Sequence, residues 1–383
     1  MHTNKINSYI SYEVLKTFFI ILFSLSIIAW TARAVNFLDL IVENGFSIKT
    51  YLIYSLLNLS NIITKFIPLS FLIALFLTVI KLQRNNEFII LWTIGMKKIM
   101  IANLFFLISI YILLIQLIFS VFINPYSLNV SRFLLADSKT SSFQSLMKEN
   151  EFSDSFEDLT FFIRNKDEKN IMENIFIHDR SDVLDALTSS ETSKNENVTI
   201  YATKGFFKDQ KLILFDGTIQ TLTKNKEIEN INFSKTEILL EKLNTRVIKQ
   251  PKIQETSTLT LLKCMVKNNT VFIKMMNCDS KKNNSVAVEN FSRRIGMPLY
   301  IPIVSIILSF LLISYSDKKK FNKYYIFLSA FIVLMLAEIL VRYSSFSQLN
   351  TLMYFLLPIF TYPIIYLILN RKFNDEKKNN RKR

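Results

Sequence analysis

Six apolar segments are the feature that most constrains this chain, because a helix needs about 20 mainly apolar residues to cross a bilayer. They comprise residues 18–37, 62–80, 100–123, 297–313, 325–341 and 352–369. The second is expected to begin earlier, near Tyr51, as a longer tilted helix. Half of all residues are hydrophobic (50%) and only five are glycine, which is also typical of a membrane protein. We therefore expect six transmembrane helices.

Charge indicates how these helices are oriented. Residues 124–290 hold 23 basic and 23 acidic side chains, so the formal excess of +15 lies in the apolar part and its tails. Lysine and arginine follow the second, fourth and sixth segments, as in loops retained in the cytoplasm. We expect cytoplasmic N- and C-termini, residues 124–295 outside the cytoplasm, and no nucleic-acid partner, since the central block has no basic excess to offer phosphates.

The start of the chain allows a second interpretation. A basic stretch, the apolar run "FFIILFSLSIIAW" and then "TARA" resemble a signal peptide with its cleavage site. Arg33 inside that site is unfavourable, and removing the segment would leave an odd number of spans. We favour an uncleaved first helix.

The central block has the pattern of β-strands. "LTFFIRN", "IFIHD", "NVTIYATKGFF", "KLILFDGTIQTLT" and "IENINFSKTEILL" are short, rich in Ile, Phe and Thr, and separated by polar turns such as "KDQK" and "KNKE". Val198, Ile200 and Ala202 are predicted to share one face. Many antiparallel strands without helices favour a sandwich or jelly roll, followed by a helical connector at about 257–277.

The predicted fold class is therefore a membrane α-helical protein with an inserted all-β domain. Residues 1–123 hold helices 1–3, 124–295 the jelly-roll-like domain, 296–370 helices 4–6, and 371–383 a basic cytoplasmic tail.

Motifs for catalysis and metal binding are missing from the sequence. It has two histidines, no H-E-x-x-H, no G-x-S-x-G and no cysteine cluster with metal spacing. It also lacks a phosphate-binding glycine-rich loop, so ATP hydrolysis is not expected in this chain. Cys264 and Cys278 could form a disulfide if the central block is extracytoplasmic.

Charged residues within spans are the best candidates for function, since they are costly to place in a bilayer. Glu338 and Arg342 are four residues apart and can pair on one helix face. Lys65 is better explained as a cation that snorkels toward the interface. Arg33, Phe37, Glu338 and Arg342 are the candidate lipid-path residues, with the cations suited to an anionic head group.

The stretch "NNEFIILWTIGMKK" between the second and third spans predicts an amphipathic helix. Asn85 or Asn86 can cap it, and Glu87 in its first turn complements the helix dipole. The predicted apolar stripe contains Phe88, Leu91, Trp92 and Gly95 and can rest on the bilayer interface. A plain interfacial connector fits this pattern as well as a partner-binding helix does.

Three spans, a β domain and three more spans, together with "LQRNNEFIILWTIGMKK" and "FSRRIGMPL", resemble the LptF/LptG family of permeases. The resemblance implies that residues 84–96 form a coupling helix that docks into a cytoplasmic ATPase dimer, and that Glu87 pairs with an ATPase arginine. The candidate coupling residues are Arg84, Glu87, Leu91, Trp92, Gly95 and Lys97. The pair Asn85–Asn86 and the pair Thr93–Ile94 depart from the family pattern.

The same resemblance implies an inner-membrane protein that exports lipopolysaccharide. Its implied partners are an LptG-like permease, an LptB-like ATPase dimer that binds the ATP, an LptC-like single-span β protein and an LptA-like bridge protein. No cofactor is expected in this chain. Glu151–Phe152 and "FSRR" favour LptF over LptG. Phe161, Ile163 and Ile200, or the alternate face with Phe162, are expected to line the periplasmic groove.

Two other functional classes remain open. A secondary transporter would need intramembrane acids to couple transport to an ion gradient. Glu338 alone gives little support for this class. A membrane-anchored scaffold would use the β domain for binding. A co-purifying ATPase would separate export from both.

Overall fold

The structure of the chain is a computed structural model. It describes residues 2–42, 46–137, 149–156, 159–167, 171–179, 197–208, 211–222, 228–239, 253–265, 281–313 and 321–381. The contacts divide the chain into two compact units. The helical unit comprises Met1–Arg33, Leu56–Val130 and Gln250–Arg383, and the β unit comprises Ala34–Ser55 and Ser131–Lys249.

Helices make up most of the described residues outside the β-sheet. They are α1 (His2–Asn36), α2 (Asp39–Val42), α3 (Ile48–Arg84), α4 (Glu87–Thr93), α5 (Lys98–Ile118), α6 (Asn124–Asp137), α7 (Thr258–Met265), α8 (Lys281–Phe291), α9 (Ile301–Ser309), α10 (Phe321–Ser344) and α11 (Gln348–Arg381). Short π-helical and 3₁₀ segments join several of them.

Six helical stretches within the described residues are long and apolar enough to cross a membrane, which confirms the predicted number. They are Lys5–Ile41, Ile48–Arg84, Lys98–Leu135, Ser285–Leu312, Lys323–Ser344 and Gln348–Glu376. Each is longer than its apolar stretch suggested, because the helix continues into more polar sequence at one or both ends.

The first helix is an integral part of the helical core. Its buried residues Ile10, Val14, Phe18 and Leu22 are spaced by four and are at most 4% exposed. They pack with side chains of α3, α5, α9 and α10 in one cluster. A segment removed by a signal peptidase would take this face of the core with it.

The third and fourth spans each contain a π-helical turn, at Phe119–Ile123 and Ser292–Gly296. The Ser120 hydroxyl donates to the Arg294 carbonyl oxygen at 2.7 Å, so the two turns are joined. A π turn adds one residue to a helical turn and shifts the faces that follow. Hydrophobic periodicity does not reveal such a shift, and neither turn was predicted.

The β unit contains one antiparallel sheet in the order β1-β2-β3-β4-β5-β6. Its strands are β1 (Phe152–Phe156), β2 (Leu159–Lys166), β3 (Met172–Asp179), β4 (Asn197–Lys208), β5 (Lys211–Leu222) and β6 (Ile228–Leu239). Lys208 pairs with Lys211 and Leu222 with Ile228, so the strands before and after "KDQK" and "KNKE" pair with each other. Residues 209–210 and 223–227, on which the predicted turns fall, lie outside the described residues. The inserted all-β domain is confirmed.

The two faces of this sheet differ. Val198, Ile200 and Ala202 share the buried face, as the alternation predicted. On the other face, Phe152, Phe162, Phe176 and Tyr201 are register partners across four neighbouring strands.

The predicted helical connector is described only in part. Helix α7 belongs to it, whereas residues 266–277 lie outside the described residues. Cys278, one of the two cysteines that could form a disulfide, also lies outside them.

Candidate functional site

The turn between α3 and α5 is built around α4. Gly95 ends this short helix with a φ of +93°, a backbone conformation that side-chain-bearing residues rarely adopt. Asn86 occupies the N-cap position in the left-handed region and makes no side-chain capping bond. The Asn85 amide instead donates to Glu87 Oε1 at 3.1 Å. The predicted capping interaction is therefore wrong, and Asn85 orients the carboxylate of Glu87.

The predicted apolar stripe of α4 faces the protein core rather than the bilayer. Phe88 is 4% exposed and stacks on Trp92, with 5.8 Å between the ring centroids. Leu91 and Trp92 pack against the helical core, and Lys98 Nζ lies 5.5 Å from the Trp92 ring centroid. A stripe that is apolar at helical spacing can face either environment, and tertiary packing decides which.

The exposed surface of this turn is formed by other residues. Ile89, Ile90 and Ile94 are 56 to 66% exposed. Of the predicted coupling residues, Arg84, Gly95 and Lys97 are exposed and Glu87 is half-buried. Isoleucines with a carboxylate beside them form an apolar surface with one acidic group, which is suited to a protein partner.

A polar network fastens this turn to the beginning of α1. Lys81 Nζ lies 2.7 Å from Glu13 Oε1. Tyr9 interacts electrostatically with Glu87, Glu13 and Lys81, and Lys81 also interacts electrostatically with Glu87. A cavity of about 320 Å³ lies beside the network and is lined mostly by apolar side chains of α1 and α4.

The end of α11 reaches the same region. Glu376 Oε1 lies 2.7 Å from Lys98 Nζ, and both side chains are less than a fifth exposed. The predicted basic tail thus begins as a continuation of the last helix rather than after it. Lys98 connects α11 to the Trp92 ring of α4.

A second group of charges lies within the helical unit. Lys65 on α3 interacts electrostatically with Arg33, Arg293 and Glu338. Arg33 lies on α1, Lys65 on α3 and Glu338 on α10, and Arg293 lies in the π-helical turn Ser292–Gly296. Four separate helical segments therefore contribute. We call Arg33, Lys65, Arg293 and Glu338 the charged cluster.

The ion pair in this cluster differs from the predicted one. Glu338 pairs with Arg293, which also lies 3.3 Å from Glu289. The expected pair with Arg342 does not form, and Arg342 is exposed. Phe37, the remaining lipid-path candidate, belongs to the β unit, where its ring packs edge-on against Tyr54 at 5.0 Å.

Arg294, next to the cluster residue Arg293, is a buried cation that is only 7% exposed. Its guanidinium donates to the carbonyl oxygens of Gln254 and Thr256 at 2.8 and 2.9 Å and to the Thr258 hydroxyl at 2.9 Å. The Thr258 hydroxyl in turn donates to the Val121 carbonyl oxygen. Arg294 therefore holds the residues before and at the start of α7 against the π-helical turns.

The predicted groove residues share one face of the sheet. Phe161, Ile163 and Ile200 are at most 2% exposed and belong to one apolar cluster, while Phe162 lies on the opposite face. Which of the two faces lines a groove for lipid stays a prediction. These side chains are covered in this structure, so the face is an apolar interior and not an open channel.

Comparison with known families identifies the type of protein. No curated protein matches the chain. The family described as lipopolysaccharide export system permease LptF/LptG matches residues 8–372, nearly the whole length. The chain belongs to the LptF/LptG family. The resemblance seen in its motifs is thereby confirmed, and this LptF/LptG permease is a multi-pass membrane protein. The family match covers both paralogues, so the preference for LptF stays a prediction.

Four residues of this LptF/LptG permease were not among the sequence-based site residues: Tyr9, Lys81, Arg293 and Arg294. Two adjacent arginines directly before an apolar span were a usable signal, because such cations need partners at the membrane. Tyr9 and Lys81 gave no comparable signal, since their partners are distant in sequence.

Proposed function

We propose that this permease is one half of the membrane part of an ABC exporter that extracts lipopolysaccharide from the inner membrane. The observation that carries the proposal is the charged cluster. Three cations and one carboxylate from four helical segments come together inside a membrane-spanning unit. Such groups are costly at membrane depth unless they bind each other or a ligand.

The chemistry of the cluster suits an anionic head group. Arg293 is held by Glu289 and Glu338, whereas Lys65 has no carboxylate within salt-bridge distance among the described residues and is exposed. An exposed ammonium near two guanidinium groups can bind a phosphate. The apolar surfaces of α1 and α10, including Phe23, Ile27 and Ile339, suit acyl chains.

Orientation follows from the distribution of basic residues. The α3–α5 turn, the loop before α10 and the end of α11 carry lysines and arginines, so we place them in the cytoplasm of a bacterial inner-membrane protein. The charged cluster then lies toward the outer leaflet, and the sheet lies in the periplasm.

The energy for export would come from a separate subunit. Glu87 with Ile89, Ile90 and Ile94 would dock on a cytoplasmic LptB-like ATPase dimer, and an LptG-like permease would complete the membrane part. ATP is bound and hydrolysed in the ATPase, and this chain needs no cofactor of its own.

The β unit would receive the lipid and pass it on. Acyl chains would replace the packing of Phe161, Ile163 and Ile200 once the covered face opens. Strand addition at a sheet edge is the expected contact with an LptC-like protein and an LptA-like bridge. These steps place the chain in outer-membrane assembly.

The test is purification of the tagged permease from its native membrane, followed by identification of its partners and of bound lipid. We expect a homologous permease, an ATPase and lipopolysaccharide. Lys65→Glu should lower the amount of bound lipopolysaccharide about tenfold, because it replaces attraction of a phosphate by repulsion.

Two matched variants serve as controls for this substitution. Lys65→Arg keeps the charge, and Lys49→Glu reverses a charge on the same helix away from the cluster. Both should bind lipid as the unmodified protein does. Equal lipid content in Lys65→Glu and Lys49→Glu would contradict the proposed lipid site. A permease that purifies without an ATPase would favour a secondary transporter or a scaffold.

A further inference from the structure

The π-helical turns of the third and fourth spans mark one boundary of the bilayer. The apolar stretch of residues 100–123 ends in the turn Phe119–Ile123, and the stretch of residues 297–313 begins directly after the turn Ser292–Gly296. From Lys98 to the middle of the first turn the helix rises about 35 Å, slightly more than the hydrocarbon core of about 30 Å. Both turns therefore lie where the apolar interior of the bilayer meets the head groups.

Hydrogen bonds to both turns fasten the start of α7 at this level. The Thr258 hydroxyl donates to the Val121 carbonyl oxygen at 3.1 Å. Pro125, four residues after Val121, has no N–H group that could bind this oxygen in an α-helical turn. The Arg294 guanidinium, in the other turn, donates to two carbonyl oxygens just before α7 and to the Thr258 hydroxyl. All of these residues belong to the helical unit, so the start of α7 is fixed relative to the spans.

Helix α7 has one buried face and one exposed face. Leu261 is 1% exposed, whereas Leu259 and Leu262 are 75% and 45% exposed. The two exposed leucines are three residues apart, so they lie on the same side of the helix. Lys263 is also exposed, one turn after Leu259, and its flexible stem can carry the ammonium from an apolar layer to phosphate groups. Exposed leucines beside a cation are typical of a helix that lies in a membrane surface.

The exposed leucines continue the lipid-facing surface of the third span. Ile118 and Phe122 of that span are four residues apart and are 52% and 70% exposed. Thr258 and Val121 are hydrogen-bonded, and the next residue after each of them is apolar and exposed, Leu259 in one case and Phe122 in the other. An exposed apolar surface that begins on a membrane-spanning helix and continues at its boundary is suited to contact with lipid.

We propose that α7 is an interfacial helix that inserts Leu259 and Leu262 into the phospholipid leaflet at the end of the third span remote from Lys98. In the proposed orientation this is the outer leaflet. Lys263 then lies among the phosphate groups of the phospholipids. The inference goes beyond the proposed function, because it depends on the membrane spans and not on the lipid that is exported. It gives the chain that returns from the β unit an attachment to the membrane surface before the fourth span begins.

Fluorescence quenching tests the position of α7 in the complex purified from its native membrane and reconstituted in lipid nanodiscs. Cys264 and Cys278 are first replaced by serine, and a bimane label is then attached to a single new cysteine. The labelled variants are Leu259→Cys, Leu107→Cys and Phe152→Cys. Leu107, within the third span, and Phe152, on β1, are 66% and 69% exposed, so they are the matched references for lipid and for water.

Brominated phospholipids in the disc should quench the label at position 259 about half as strongly as the label at position 107, because an interfacial side chain inserts only part of the way into the acyl layer. The label at position 152 should be quenched about tenfold less than the label at 107, and iodide in the buffer should quench it instead. A label at 259 that only iodide quenches would place α7 in water. A label at 259 that neither agent quenches would place α7 against a protein. Either result overturns the inference and leaves the proposed function intact.

Hydrogen exchange in the same discs shows whether the two leucines stabilise α7. Its eight residues are too few for a stable isolated helix in water, so membrane contact should add to the protection of its amides. Leu259→Asn/Leu262→Asn should speed exchange of the amides of residues 262–265 about tenfold and leave those of α5 protected. Phe152→Asn, a matched change at an exposed site of the β unit, should leave exchange in α7 unchanged. Equal exchange in the double variant and the unmodified protein would show that the leucines make no stabilising contact and would overturn the inference.

Discussion

The carboxylate of Glu338 pairs with Arg293, in the π-helical turn of the fourth span, and not with Arg342, one turn along its own helix. The pair therefore joins two spans instead of stabilising one. It also holds the guanidinium of Arg293 in the charged cluster, where it interacts electrostatically with Lys65.

The pair predicts different effects for two arginines. Arg293→Ala and Glu338→Gln should each destabilise the protein, and a double-mutant cycle should give a coupling energy of roughly 0.2–1 kcal/mol, since both side chains are about a third exposed. The same cycle with Arg342→Ala should give a coupling energy near zero. Unfolding in detergent by chemical denaturant measures these values. Coupling of Glu338 to Arg342 instead would show that the local pair forms in solution.

Arg294 is expected to matter more for stability than any exposed arginine. Arg294→Met removes three hydrogen bonds and leaves the buried Thr256 carbonyl oxygen without this donor. The free energy of unfolding should fall by about 2 kcal/mol or more. Arg342→Met, an exposed site on another span, should change it by less than about 0.5 kcal/mol.

Hydrogen exchange shows whether Arg294 holds the chain at α7. Amides of residues 253–265 should exchange faster in Arg294→Met, while those of α5 stay protected. Uniformly faster exchange across the helical unit would instead indicate a general loss of packing.

The spans and the strands were predictable because each depends on a local pattern. A run of apolar residues has few alternatives in a membrane protein, and Val198, Ile200 and Ala202 alternate in the way that a half-buried strand requires. The partner of Glu338 was not predictable, since Arg293 is 45 residues away and only the packing of two spans brings them together. The inward orientation of Phe88, Leu91 and Trp92 was missed for the same reason.

Gly296 is predicted to be intolerant of a side chain. A Cβ atom there would collide with the ring of Tyr354 and lie 3.2 Å from Phe355. Tyr354 is 2% exposed and its carbonyl oxygen accepts a hydrogen bond from Tyr300, so it cannot move away freely. Gly296→Ala should cost about 1–3 kcal/mol of unfolding free energy.

A second substitution identifies the cause of this loss. Tyr354→Leu should destabilise less in the Gly296→Ala background than in the unmodified protein, because the smaller side chain removes the collision.

Gly95→Ala is the contrasting case. Open space surrounds Gly95, and its cost of about 1–2 kcal/mol would come from the backbone at φ +93°. Tyr354→Leu should not reduce that cost.

Neighbouring residues on β2 should respond differently to lipid. A photoreactive amino acid at Phe161 points into the apolar interior, whereas one at Phe162 lies on the opposite face with Phe176 and Tyr201. During ATP-driven transport, lipopolysaccharide should cross-link at position 161 and at position 200, with yields about tenfold above those at 162 and 201, because acyl chains partition to the apolar side. Higher yield at Phe162 would place the lipid on the aromatic face.

The two faces of α4 predict two separable defects. Ile89 is 58% exposed, so Ile89→Glu should leave the unfolding free energy within about 0.5 kcal/mol and release the ATPase from the purified complex. Phe88 is buried against Trp92, so Phe88→Ala should lower the unfolding free energy by about 3–5 kcal/mol. Co-purification measures the first effect and denaturation in detergent the second. If Ile89→Glu retained the ATPase at full occupancy, the exposed isoleucines would not be its docking surface, and the inward-facing stripe would have to turn outward in the assembled exporter.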